Sequence, residues 1–410
     1  MFSSGSGSLR RACLLGCLLL VAACGGSQGA PGTAGGFRGT ARVAIVDAFS
    51  GPSGNLGENV QNSVQAELDL LNSRGGLLGY RLEVATADDE QMPDKGAELV
   101  REQLIESDVK LLVGPSGPAV FLAARPFIDR AGIPGCTVNL SDDGLAGARF
   151  TFRAQEQDRH RLPALLAYLQ RSRSEIKRIA LLSDSEAPGD RYDRQLQEQA
   201  PRYGLKYLGG LAAPSTGDPK PLLQQLVQTG AQAVVVTGGP ASAARIAGAI
   251  GQLGLGKQLQ LLGLSGLAAY AFPQQAGDAA AGVVFEATNQ SYLTGLPESR
   301  WAPPYRDFVR RITSQYGYAS NGVEMLGLPA AADCVLSWSR AVQKANTFDG
   351  RPVVKAWEAL DLPPRDRVLA ARERPSAGDH NLLRQDGIYV YEWMKNGDRW
   401  SLRQVAGPSA

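Results

Sequence analysis

The chain's only two histidines, His160 and His380, stand far apart, and neither lies at metal-ligand spacing from a cysteine or from the other. Ser53, Ser116 and Ser265 each sit beside glycines, yet no G-x-S-x-G elbow occurs. "GQLGLGKQ" (Gly251 to Gln258) has the glycine spacing and lysine of a phosphate-binding loop. Gln258 replaces the Ser/Thr that would hold magnesium, and the stretch follows a helical pattern and precedes a strand, the reverse of the required order. Gly254 reads instead as a helix C-cap. Asp88-Asp89-Glu90 and Asp142-Asp143 are adjacent carboxylates at strand ends, where capping and turn roles outweigh acid/base chemistry. No enzyme, metal or cofactor is expected.

Two loops point to recognition rather than bond chemistry. After "KLLVG" come Pro115-Ser116-Gly117-Pro118-Ala119, with Gly117 a permissible N-cap and Pro118 suited to the first helical position. After "IPGCTVN" come Leu140-Ser141-Asp142-Asp143-Gly144, with Ser141 a natural N-cap. Each loop would offer unpaired backbone N–H groups and a hydroxyl at the positive end of a helix, a place for a carboxylate or another polar acceptor. Either loop could simply cap its helix. Two at the carboxyl end of one sheet favour binding.

The elements that would carry these loops alternate regularly. "ARVAIVDAF", "YRLEVATADDE", "VKLLVGP" and "GIPGCTVN" read as strands, with helical patterns at Asn59–Asn72, Pro93–Ser107 and Pro118–Ala131. The alternation restarts with "IKRIALLSDSE", "LKYLGGLAA", "AQAVVVTGG" and "KQLQLLGLSG", between helices at Asp190–Tyr203, Pro219–Thr229 and "ARIAGAIGQLG". Helices follow at Tyr305–Tyr316 and Ala330–Ala345, and the tail "GIYVYEWMKNGDRWSLRQV" predicts a hairpin turning at Asn396-Gly397. The fold class is α/β, with two successive units of similar size and a cleft between them as the default ligand site.

At the N-terminus Arg10 and Arg11 precede an apolar run that ends at Val21-Ala22-Ala23-Cys24. This is the charged, apolar, small-residue order of a signal peptide, and the run is shorter than the roughly 20 residues that span a bilayer. The last four residues resemble a bacterial lipobox, which makes residues 1–23 a lipoprotein signal peptide and Cys24 the lipidation site. Residues 24–40 read as a flexible tether. A net charge of +2 argues against a nucleic-acid partner. Beyond Cys24 only Cys136 and Cys334 remain, to be paired in an oxidising compartment or buried as free thiols.

From Ala41 to about Val405 the chain resembles the branched-chain-amino-acid-type periplasmic solute-binding proteins of ABC importers. The resemblance rests on "SGPSGNLGENVQNSVQAELDLLNSRGGLLGYRLEVATADDEQMPDKGAELVREQLIE", "LLVGPSGPAV", "RAGIPGCTVN", "FTFRAQEQD", "GDAAAGVVFEA" and "GDHNLLRQDGIYV", in that order. It implies a type I periplasmic binding protein: two Rossmann-like lobes with three hinge crossovers near Phe152–Gln155, Phe285–Thr288 and His380–Leu383. Lobe 1 would hold 41–154 and 287–380, and lobe 2 would hold 155–286 and 381–410. A monomer bound to a small-molecule solute and handing it to ABC permease subunits would follow. Carried over by position, the serine for a ligand carboxylate falls at Pro118, or at Ser116 if the Ser116-Gly117-Pro118 loop shifts. The second carboxylate loop supplies Asn139 and Ser141, an aromatic becomes Leu56, and two tyrosines become Pro188 and Gly239. The acid that neutralises a ligand's ammonium becomes Ser265, with Asp184, Glu186 or Glu286 as replacements that the sequence alone does not single out.

Overall fold

The run Val43 to Val46 has no polar interruption, and such a run suits a strand covered on both faces. In the computed structural model it forms the centre of β1 (Thr40–Asp47), fully buried from Val43 onward. The structure describes residues 36–51, 54–106, 108–139, 145–183, 191–213, 217–289, 296–318 and 328–407. After β1 come α1 (Gly54–Ser73), β2 (Arg81–Asp88), α2 (Pro93–Gln103), β3 (Val109–Val113), α3 (Pro118–Ala131), β4 (Gly135–Thr137) and β5 (Thr151–Arg153). These strands form one parallel sheet in the order β2-β1-β3-β4-β5.

The second lobe repeats the plan with α4 (Asp158–Ser172), β6 (Arg178–Ser183), α5 (Arg191–Gln199), β7 (Lys206–Ala212), α6 (Lys220–Gln228) and β8 (Ala233–Val236). It continues through α7 (Pro240–Gln252), β9 (Gln260–Gly263), α8 (Ala271–Ala276) and β10 (Val284–Thr288). The chain then returns to the first lobe for α9 (Pro303–Tyr316), α10 (Leu328–Ala345) and α11 (Gly350–Glu358). It ends as the hairpin β11 (Ile388–Asn396) and β12 (Arg399–Ala406), which extends the second sheet to the order β12-β11-β10-β9-β8-β6-β7. The hairpin forms as expected but turns one residue later, at Gly397-Asp398: Asn396 still pairs with Arg399, and Gly397 takes a φ of +61° that suits glycine. "GQLGLGKQ" joins the end of α7 to β9, helix to strand, so it cannot cradle a phosphate as a P-loop does.

Two elements carry no clear signal in the sequence. Helix α4 buries every residue from Arg161 to Leu169, so no apolar stripe with a 3.6-residue period stands out. Helix α11 opens on Gly350-Arg351-Pro352, which reads as a turn, yet it buries Val353, Val354 and Trp357.

The returning helices are fastened to the first lobe by strong links. Cys136 of β4 and Cys334 of α10 form a disulfide, which decides between the two states the sequence left open. Beside it the wholly buried Arg367 pairs with Asp333 at 2.8 Å and Glu373 at 3.0 Å. Asp333 also accepts the backbone N–H groups of Val368 and Leu369.

The chain passes between the sheets at 154–157, crosses again between Thr288 of β10 and Pro303 of α9, and passes a third time at 381–387. The first and third passages touch: Arg153 N donates to His380 O (3.1 Å), and Leu382 N donates to Arg153 O (2.8 Å). The His380 ring stacks on Phe152 at 4.2 Å and bridges Thr151 O and Glu358 Oε1, each at 3.0 Å. Phe152 stacks in turn on Trp357. The start of the third passage is thereby clamped to the first lobe.

Candidate functional site

A parallel sheet ordered 2-1-3-4-5 opens a crevice where strand order reverses, between its first and third strands. In the first lobe that crevice lies between the ends of β1 and β3, at Asp47 and Gly114-Pro115-Ser116. Gly114 has a φ of +91°, and a Cβ there would sit 2.3 Å from Val46 O, so only glycine lets the β3 exit pass this close to β1. Ser116 Oγ donates to Asp47 Oδ2 at 2.5 Å, and Ala48 N donates to Asp47 Oδ1 at 3.0 Å. Burial pushes the Asp47 carboxyl up to about 6; the Ser116 and Ala48 hydrogen bonds pull it down, and Asp89 pushes it further up. Thr137 Oγ1 donates to Pro115 O at 2.8 Å and accepts from Asn139 N at 3.1 Å, which ties the β3 exit to the β4 exit.

The second lobe has the same internal order, and its crevice falls between β6 and β8. Thr237 Oγ1 donates to Ser183 Oγ there at 3.4 Å. Gly239 stands at the N-cap of α7 with no atom within 4 Å of where a Cβ would project, so this rim is open.

The densest polar group of this lobe surrounds Ser265, just past β9. Ser265 N donates to Glu286 Oε1 (2.8 Å) and its hydroxyl donates to Glu156 Oε1 (3.3 Å) while accepting from Arg161 Nη2 (2.7 Å). Arg161 also donates to Glu286 Oε1 (2.8 Å), the Tyr192 hydroxyl (3.0 Å) and Asp158 Oδ1 (3.4 Å). Arg191 pairs with Asp158 Oδ2 at 2.7 Å. Glu156, Asp158, Arg161 and Glu286 are all buried. Burial raises the Glu286 carboxyl against the pull of Arg161. Burial also works against the Arg161 charge, but Glu286, Tyr192, Glu156 and Asp158 hold its pKa above the ordinary value. Three carboxylates thus meet two guanidinium groups, and Glu286 Oε2 has no hydrogen-bond partner among the described residues.

The residues expected from sequence fall as follows. Gly117 caps α3 and Pro118 is its exposed first residue. Ser116 and Asn139 are buried, and Leu56 is half-buried in the first turn of α1. The Ser116 hydroxyl, expected to face a ligand as a donor, is instead committed to Asp47. Cys24, Ser141, Pro188, Asp184 and Glu186 lie outside the described residues. Of the replacements named for the lost acid at Ser265, Glu286 alone lies among the described residues, and it bonds Ser265, joined by Glu156. A charged residue inside the apolar strand "GVVFEAT" was the available signal for Glu286. Nothing local marked Asp47 or Arg161. A cavity of about 530 Å³ opens at the side of the passages, lined in part by Gln157, Arg159, Asp379, His380 and Asn381, and it contains none of the expected contact residues. Among the described residues no metal-binding cluster occurs, and no helix is long and apolar enough to cross a membrane.

Comparison with known proteins places this architecture. A family model described as "Periplasmic binding protein" matches residues 40–398. The leucine-, isoleucine-, valine-, threonine-, and alanine-binding protein of Pseudomonas aeruginosa is 22% identical over 368 residues, covering 89% of this chain and 92% of its own. An ABC transporter substrate-binding protein from Sphaerobacter thermophilus superposes with a TM-score of 0.73 at 20% identity, over 90% of this chain and 99% of that one. A Rhodopseudomonas palustris solute-binding protein in complex with 4-hydroxybenzoate superposes with a TM-score of 0.70 at 14% identity, over 90% and 98%. These relatives bind solutes and are not enzymes. Matched over most of its length and built as two lobes of the same strand order, the chain belongs to the periplasmic binding protein family, whose members are extracytoplasmic.

Proposed function

We propose that the protein captures a small polar solute bearing an amino group, a branched-chain amino acid or a related compound, and delivers it to an ABC importer. The two crevices of matching strand order, on lobes joined by three passages, carry this reading. Lobe 1, 41–154 with the segment returning from 303 to 380, and lobe 2, 155–288 with 381–410, move as bodies about the passages; Ala287 and Thr288, which the sequence reading gave to lobe 1, pair with β11 in the second sheet. A solute that touches both lobes favours the shut state by its differential affinity.

The charges around Ser265 support an amino-bearing cargo. Glu156, Asp158 and Glu286 outnumber Arg161 and Arg191, which leaves negative charge to neutralise an ammonium although Ser265 itself has none. A purely anionic cargo fits such surroundings poorly.

In this reading Cys24 carries a lipid that holds the protein at the outer face of the cell membrane, beside its permease, with residues 25–36 as the tether, since Arg38 already bonds Gly79 and Thr40 opens β1. A thermal-shift screen tests capture: a ligand at 100 times its dissociation constant adds about 2.7 kcal/mol. Preference for aromatic acids such as 4-hydroxybenzoate over every amino-bearing compound would refute the cargo class. Cys24→Ser should move the protein from the membrane to the soluble fraction and abolish incorporation of labelled fatty acid. An unchanged membrane fraction would refute the anchor.

A further inference from the structure

Helix α3 begins at Pro118 with its amide dipoles directed at the crevice between β1 and β3, a place that favours an anion. The protein's own anion is already there. Asp47 accepts the Ser116 hydroxyl, the Ser116 backbone N–H and the Ala48 N–H. A hydroxyl has one proton and two lone pairs, so Ser116, having donated to Asp47, presents only acceptor capacity to anything else. Pro118 adds no N–H. Behind Asp47 stands the buried Asp89, whose Oδ2 has no hydrogen-bond partner among the described residues.

We infer that the first-lobe crevice takes a hydrogen-bond donor of the solute, an amine or amide N–H, and that Asp47 occupies the position a ligand carboxylate would otherwise fill. This rests on the solute-capture reading and narrows it. With acidic groups around Ser265 on the opposite lobe, the cargo is a compound with donors at both ends, an amide or an amine without a free carboxylate.

The charged groups that face Asp47 from the neighbouring elements are Asp89 and, beside it at the end of β2, Asp88; Lys95 of α2 is paired with Glu90 at 2.7 Å. The β4 exit contributes Thr137 and Asn139, and α3 opens on Gly117, Pro118 and Ala119, none of them charged. Below about pH 6 Asp47 takes up a proton. Its carboxyl can then donate to Ser116, and the Ser116 hydroxyl is released to donate to a ligand.

The test is isothermal titration calorimetry of the intact mature chain against four probes of similar skeleton: L-leucinamide, 3-methylbutylamine, L-leucine and 4-methylpentanoate. A thermal-shift panel of other amides, amines and carboxylates accompanies it. At pH 7.5 amides and amines should bind about tenfold or more tightly than matched carboxylates, the scale of one hydrogen bond to a charged group. The gap should narrow at pH 5. Asp47→Asn should close it at pH 7.5, and the pH series on the unaltered protein decides the matter if that variant does not fold. Tighter binding of carboxylates at pH 7.5, or a ratio indifferent to pH, overturns the inference and leaves solute capture standing. Capture of no compound in either set overturns both.

Discussion

Replacing Arg161 with methionine keeps most of the side chain's volume and removes its charge. Of the two guanidinium groups described above at the buried carboxylates Glu156, Asp158 and Glu286, Arg191, on Asp158, would then remain. Removing one partner of a buried ion pair costs about 3–5 kcal/mol. Arg161 sits 2.8 Å from Glu286 and is almost wholly buried, so the expected loss lies in that range at pH 8. The pH dependence follows from Glu286. Burial already raises its carboxyl, and losing Arg161 raises it further. A carboxyl with a raised folded-state pKa contributes stability that is present below its unfolded value and lost as pH rises through the folded one. The Arg161→Met penalty should therefore be largest at pH 8 and shrink toward pH 5. Adding Glu286→Gln should recover most of it. Urea denaturation read by the fluorescence of Trp393, whose indole N–H bonds Leu267 O inside the second lobe, follows the relevant half of the molecule. A penalty below about 1 kcal/mol, the worth of an exposed pair, would refute the reasoning. So would a penalty equal at both pH values, or no rescue by Glu286→Gln.

Two further outcomes follow from the packing. The Cys136–Cys334 bond spans 198 residues, so a Cys136→Ala/Cys334→Ala chain should lose up to about 5 kcal/mol in the chain-entropy account. Hydrogen exchange should place that loss in the first lobe and spare the amides around Trp393. Gly350 opens α11 so close to the end of α3 that a Cβ would lie 1.7 Å from Gly132 O; Gly350→Ala should cost about 3 kcal/mol or more in a thermal or urea melt, and a neutral result would refute that contact.

The legible parts of the fold were those whose cause is local. An uninterrupted apolar run makes β1, Pro118 behind Gly117 starts α3, and the Asn-Gly signal announces the last hairpin to within one residue of its Gly397-Asp398 turn. Helix α4 escaped notice because burial all round erases its periodicity. The Ser265 cluster joins residues 156 to 286, and neither an arginine in a polar stretch nor one glutamate in a strand announces its partner. Asp47 misleads for a related reason. It lies inside the run "ARVAIVDAF" that reads simply as a strand, and only the fold puts it under the Ser116 hydroxyl.

The covalent link between β4 and α10 also has a consequence for how the chain matures. Cys136 is synthesised long before Cys334, and after residue 24 the sequence offers it no other thiol of its own chain. The bond between them can therefore close only after the whole intervening lobe has been made, and the finished bond marks a molecule whose two distant stretches have found each other.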